Sequence, residues 1–192
     1  MVLIGALLVG TVLIGAGLTG CGDAPRSGSP PHAQVPRDVL PVRAVSWLPA
    51  TTRPLSAADV QKDSSRAGLA ARLNRWGYLG GWQRTFQGES RRLTLVVSRS
   101  LAFASRAGAR AFIGYLDSHL DSFYPFATSR RLAVGGQSGW LIRPPMCACH
   151  MAQPFYVGVT VAGPLVRWLE INGPRASERM LRTLLSDLGS AR

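Results

Sequence analysis

Residues 92–120 read RLTLVVSRSLAFASRAGARAFIGYLDSHL. Two periods meet in this stretch. Leu93, Leu95 and Val97 alternate with their neighbours, which predicts a strand over residues 92–98 with those three side chains on one face. Further along the period lengthens. Ala109, Phe112, Ile113, Leu116 and Leu120 follow the i, i+3, i+4 rule, which predicts an amphipathic helix over residues 106–120 with Ser105 as its N-cap.

The flanks decide how that strand is paired. Upstream, residues 82–87 alternate in the same way, and Gly88-Glu89-Ser90 is a loop short enough to fold one strand back on the other. Before them, Ser56 is a helix N-cap, and Leu69, Leu73 and Trp76 recur at helical spacing. Gly77 ends that helix and Gly80-Gly81 marks a turn. Downstream, residues 132–134 and 140–142 flank Gly135-Gly136. Residues 155–161 and 165–171 flank Ala162-Gly163-Pro164. Both pairs read as hairpins. Asn172-Gly173-Pro174 opens a last helix, with Met180, Leu181, Leu184, Leu185 and Leu188 as its buried stripe. Helices placed among hairpins, without βαβ regularity, predict an α+β domain. Its expected form is an antiparallel sheet of about six strands packed with about three helices, an α/β/α sandwich-like arrangement over residues 55–192.

The remaining residues read as an address and a spacer. Residues 1–20 carry no charged side chain. Met1 to Leu18 is nearly all Val, Leu, Ile, Ala and Gly, and Leu18-Thr19-Gly20-Cys21 follows at once. An aliphatic residue, two small residues and a Cys at the end of an apolar core resemble the lipobox of bacterial lipoproteins. The resemblance implies cleavage between Gly20 and Cys21 and a diacylglycerol on the Cys21 sulfur, with acyl chains that hold the protein to the membrane. The family's usual Lys or Arg before the apolar core is absent, so either the α-amino group supplies the charge or the chain starts upstream. Residues 21–54 are rich in Pro, Ser and Gly. They are expected to form an extended tether, in which residues 42–48 could dock as an edge strand.

The domain itself is similar to small lipoproteins of high-GC Gram-positive bacteria built like the PsbP/Mog1 sandwich. The similarity rests on Trp76-Gly77-Tyr78, the strand running into Phe103, the run from Arg106 to Phe112, and Gly163 with Arg167-Trp168-Leu169-Glu170 before the terminal helix. It implies a binding module rather than an enzyme, on the outer face of the cytoplasmic membrane.

Composition agrees with that expectation. Twenty-two Lys and Arg face ten Asp and Glu, a formal charge of +12, and Lys62 is the only Lys. Arg codons are GC-rich, so the skew reads first as genome composition. Such charge on a soluble protein suggests nucleic acid. On a domain anchored outside the cell, anionic lipid, wall polymer or a protein partner is nearer, and nucleic acid is not expected.

One cluster could carry chemistry: Met146-Cys147-Ala148-Cys149-His150-Met151, behind Pro144-Pro145. Three readings stand side by side. With Cys21 lipidated, Cys147 and Cys149 are the two Cys left, and an oxidising compartment would pair them as a strained disulfide with redox activity. Thiolates, imidazole and thioether at Cys147, Cys149, His150 and Met151 would also suit copper or zinc. The third reading is a loop with inert thiols. His119 reads as a helix-surface residue, and Asp117 and Asp121 as solvated carboxylates. Gly136-Gln137-Ser138-Gly139-Trp140 lacks the second Gly of a nucleophile elbow, and no phosphate-binding or metalloprotease motif is present. The chain reads as a non-enzyme with no cofactor beyond its lipid.

Overall fold

The computed structural model describes residues 35–145 and 153–190. Seven strands, β1 (Ala50–Leu55), β2 (Tyr78–Gln87), β3 (Leu95–Phe103), β4 (Thr128–Val134), β5 (Gln137–Arg143), β6 (Phe155–Ala162) and β7 (Leu165–Asn172), form one sheet. Its order is β1-β2-β3-β7-β6-β5-β4, and every neighbouring pair is antiparallel. Among the described residues four helices accompany it: α1 (Ala57–Gln61), α2 (Leu69–Arg75), α3 (Arg106–Ser118) and α4 (Glu178–Ser190). The α+β class holds, with one strand and one helix more than the pattern suggested.

Alternation along the strands gives the sheet two apolar faces, and each has its own core. On the first face, Leu101, Val157, Val166 and Trp168 pack beneath α1, α2 and α3 with Val60, Leu69, Leu73, Phe112 and Leu116. On the second, Phe86, Val96, Leu141, Leu169 and Ile171 pack beneath Leu181, Leu184, Leu185 and Leu188 of α4. Leu95 and Val97 lie within β3, but Leu93 precedes the strand and packs into the second core. The expected single face therefore starts two residues late.

The domain boundary at residue 55 is a correction. Residues 35–54 are not a free tether. Val35, Val39, Leu40, Val45 and Leu48 are buried, and residues 50–55 are the edge strand β1. Residues 42–48 do dock, but they contain a 3-10 turn, Val42–Val45, and no strand. The reason lies on the sheet. Among the elements packed on α4, β4, β6 and β7 are prominent, while β2 and β3 present polar groups on the same face. The 35–40 strap supplies their partners. Trp82 Nε1–H donates to Val35 O at 3.0 Å, Leu40 N–H donates to Ser98 Oγ at 3.0 Å, and Arg84 donates to Leu40 O at 2.6 Å. Buried polar groups must be paired, and a Pro-rich segment with free carbonyls is suited to pair them.

The single helix expected after Ser56 is two. Asp63, Ser64 and Ser65 interrupt it, since such side chains compete with helical hydrogen bonds. Ser65 N–H is drawn to Ser122 O at 2.8 Å. Gly68 then takes φ +84°, and Gln61 Oε1 accepts from Ala70 N–H to cap α2. Ser105 caps α3 as expected. The last helix starts at Glu178, with Pro174 in the preceding turn, and Ser177 Oγ accepts from Met180 N–H.

The α1 cap carries a pH signature. The Ser56 hydroxyl donates to Asp59 at 2.6 Å and Ser56 N–H does so at 3.0 Å. These bonds, with Arg53 and Lys62 nearby, hold the Asp59 carboxyl down at about 2. A folded pKa below the unfolded value stabilises fully above the ordinary carboxylate range and loses its effect as pH falls through the folded value. Urea midpoints taken across that window should therefore fall with pH from about 4 toward 2, and Asp59→Asn should flatten part of that slope. An unchanged slope in the variant would refute the assignment.

Candidate functional site

The first face carries three ionisable groups where the alternation calls for apolar ones. Arg99 of β3 lies opposite Trp168 of β7 in register, and Glu170 is two residues further on the same face. Asp63 reaches them from the break between α1 and α2. Arg99 donates to Glu170 Oε1 at 2.5 Å, to Gln83 Oε1 at 3.0 Å and to Asp63 Oδ1 at 3.5 Å. Its guanidinium also lies 5.2 Å from the Trp168 ring centroid. Trp168 Nε1–H donates to Tyr124 Oη at 2.9 Å, and Tyr124 O–H donates to Glu170 Oε1 at 2.8 Å. Six side chains thus form one continuous network anchored on β3 and β7.

Its electrostatics follow from burial. Desolvation opposes the Arg99 charge, but Glu170 and Asp63 outweigh it and hold the guanidinium above its ordinary value. Desolvation raises the Asp63 carboxyl, with Arg99 pulling the other way. Burial pushes the Tyr124 hydroxyl well above the tyrosine range, and the Glu170 charge adds to it. Tyr124 is therefore a fixed neutral donor.

The network floors a cleft of about 640 Å³, whose walls are Phe123, Tyr124, Pro125, Phe126, Pro144, Pro145, Phe155 and Trp168, with Leu95 at its base. That size and apolar lining fall within the range of small-molecule sites. Glu170 Oε2 and Asp63 Oδ2 have no hydrogen-bond partner among the described residues, so the polar floor offers acceptors. Phe126 stands at the rim, 85% exposed. Its φ of +60° is left-handed, a strained conformation for a bulky aromatic residue. A second hollow of about 450 Å³ shares Phe126, Pro144, Pro145 and Phe155 with the first.

Residues singled out from sequence fare differently. Gly20, Cys21, Cys147, Cys149, His150 and Met151 lie outside the described residues. The described chain on either side of residues 146–152 contributes Pro144, Pro145 and Phe155 to the cleft. His119 ends α3, its ring stacked 4.1 Å from Tyr115 and its Nδ1 3.0 Å from Tyr115 O. Asp117 and Asp121 are exposed and fall on different elements. Sequence patterns alone do not bring Asp63, Arg99 and Glu170 together, although they carry a signal. Arg99 and Glu170 each interrupt an apolar strand.

No family model and no curated sequence matches this chain. Among solved structures it is similar to the extracellular domain of PknH from Mycobacterium tuberculosis. The identity is 11% and the TM-score 0.46, with 74% of this chain and 77% of that chain covered. Among the described residues no helix is long and apolar enough to cross a membrane.

Proposed function

We propose that the protein is a lipid-anchored extracytoplasmic module that binds a small organic molecule and carries out no chemistry on it. The anchor is Cys21, acylated after cleavage at Gly20. The ligand has an apolar, ring-sized body and a cationic or hydrogen-bond-donating end. The cleft carries this reading: aromatic and proline walls around two carboxylates and one arginine, within a chain of charge +12. The arginine charge is held by its own carboxylates, so the free acceptor oxygens set the preference. Phe126 closes over the ligand body at the rim.

A matched pair of probes tests the preference. Tryptamine and indole-3-propionate share a ring system and carry opposite charges. Calorimetric titration of the full chain in neutral nanodiscs should show binding of the amine and none of the acid. Phe126→Gly should weaken amine binding roughly tenfold, the loss of one aromatic contact, while the unfolding midpoint stays level or rises because glycine relieves the left-handed strain. Preference for the acid, or a Phe126→Gly variant that binds as well as the parent, would sink the ligand reading. Intact-mass analysis of membrane-extracted protein checks the anchor separately, with acylated Cys21 as the expected first residue.

A further inference from the structure

We propose that a second surface, on the α4 side of the sheet, docks on an anionic phospholipid bilayer. Three large apolar side chains are exposed among the described residues. Two of them, Val42 at 53% and Trp47 at 42%, belong to the same strap turn. Arginines surround that turn. Arg92 holds its guanidinium 5.4 Å from the Trp47 ring centroid, and Arg175 N–H donates to Arg92 O at 3.0 Å. Trp47, Arg92, Arg175, Arg179 and Met180 line one groove of about 520 Å³.

Arg53, Arg99, Arg130, Arg167 and Arg182 are in ion pairs. Arg43, Arg91, Arg92, Arg175 and Arg179 are exposed and have no ion-pair partner among the described residues. Exposed arginines without an ion pair occur elsewhere too, such as Arg72, Arg106 and Arg110, but among the described residues only this group lies beside an exposed tryptophan. Asp187 lines the same groove, and Glu178, next to Arg179, is held by Arg130 and Arg182. An exposed tryptophan has an amphipathic ring suited to the headgroup level, and arginine pairs with phosphate bidentately. A turn carrying both is a surface that a sheet of phosphodiesters complements. The cleft lies on the opposite face of the sheet, so the inference stands apart from its ligand.

Quenching of tryptophan fluorescence by brominated lipid tests it on the full chain. Vesicles of brominated phosphatidylcholine, alone or mixed with phosphatidylglycerol, serve as the probe. The expected result is quenching that requires phosphatidylglycerol, falls with added salt and disappears in Trp47→Phe. The variant Arg92→Gln/Arg175→Gln/Arg179→Gln should lower the ratio of docked to undocked Trp47, read from phosphatidylglycerol-dependent quenching, by roughly 100-fold, at about fivefold for each cation near an anionic leaflet. All three side chains are exposed, so the variant should fold. Equal quenching in both vesicles, quenching that survives Trp47→Phe, or a triple variant that binds as the parent does would overturn the proposal. So would concentration-dependent burial of Trp47 without vesicles, which would make the patch an interface between copies. Because quenching reports where Trp47 sits and not whether the chain is attached, failure of the patch is distinguishable from failure of the Cys21 anchor.

Discussion

Asp38→Ala is expected to destabilise the fold by about 3–5 kcal/mol, the cost of leaving a buried charge without its partner. Arg167 of β7 is 1% exposed and donates to Asp38 Oδ2 at 2.7 Å, while Asp38 is 17% exposed. The two are 129 residues apart. Arg167 has no other carboxylate in an ion pair with it, and its NH1 is a buried group without a hydrogen-bond partner among the described residues. Alanine at position 38 therefore strands a whole guanidinium. The loss is a large share of the roughly 5–15 kcal/mol that holds a domain together. The pair is asymmetric, because Asp38 can be hydrated and Arg167 cannot. Arg167→Met removes both the charge and the orphaned nitrogen. Adding it to Asp38→Ala should recover most of the loss, as replacement of buried ion pairs by apolar residues often does. Urea midpoints of the parent, Asp38→Ala and the double variant decide the matter. A double variant as unstable as the single one would show that strap packing, not the stranded charge, is responsible.

Arg99→Met should cost a similar amount at neutral pH, for the opposite reason. Here the cation is removed and the acids remain. Glu170 loses its 2.5 Å partner and Asp63 its 3.5 Å partner, and Gln83 loses the donor at 3.0 Å. Burial already raises the Asp63 carboxyl, and Arg99 is the largest force opposing that rise. Without it the folded pKa climbs further above the unfolded value. Such a group destabilises above its folded pKa, and the penalty disappears once pH falls below the unfolded value. The stability gap between parent and variant should therefore be about 3–5 kcal/mol near neutrality, should narrow as pH falls through the raised folded value, and should lose its Asp63 part by about pH 4. Arg99→Lys should recover only part of it, since one ammonium cannot reach three acceptors spread over three elements. A gap independent of pH would mean that the loss comes from packing against Trp168 alone.

Much of the fold was legible because its signals are local. The 162–164 turn specifies a hairpin by itself, and the Phe112, Ile113, Leu116 stripe specifies α3 wherever it packs. The strap was misread for a physical reason. Pro36 and Pro41 exclude a regular element, and composition alone equates that with a solvated linker. What retains the strap is the demand of Ser98, Arg84 and Arg167 for partners, a property of the assembled sheet face that no window around residue 38 contains. The cleft was hidden in the same way. Arg99 and Glu170 are visible as charges in apolar strands, but they are 71 residues apart, and only the β3–β7 pairing makes them neighbours. Residues 146–151, by contrast, are chemically distinctive in one dimension.

The strand order also dictates how the chain assembles. It divides the sheet into two meanders, β1-β2-β3 and β4-β5-β6-β7, each closed by connections between consecutive strands. A single seam, β3 against β7, joins them. Hairpins form in microseconds, whereas a seam between distant segments waits for loop closure. Closure entropy grows only slowly with loop length, by about 0.6 kcal/mol per doubling, so the delay comes from needing both meanders ready at once. Trp82, Arg84 and Ser98 all belong to the first meander and can hold the 35–40 strap before the seam exists, whereas Asp38 reaches Arg167 only afterwards. The Asp38–Arg167 latch is therefore expected to be the last of the strap's bonds to close. If the chain is held at Cys21 as proposed, a pull from the membrane would load the strap and its Asp38–Arg167 latch first.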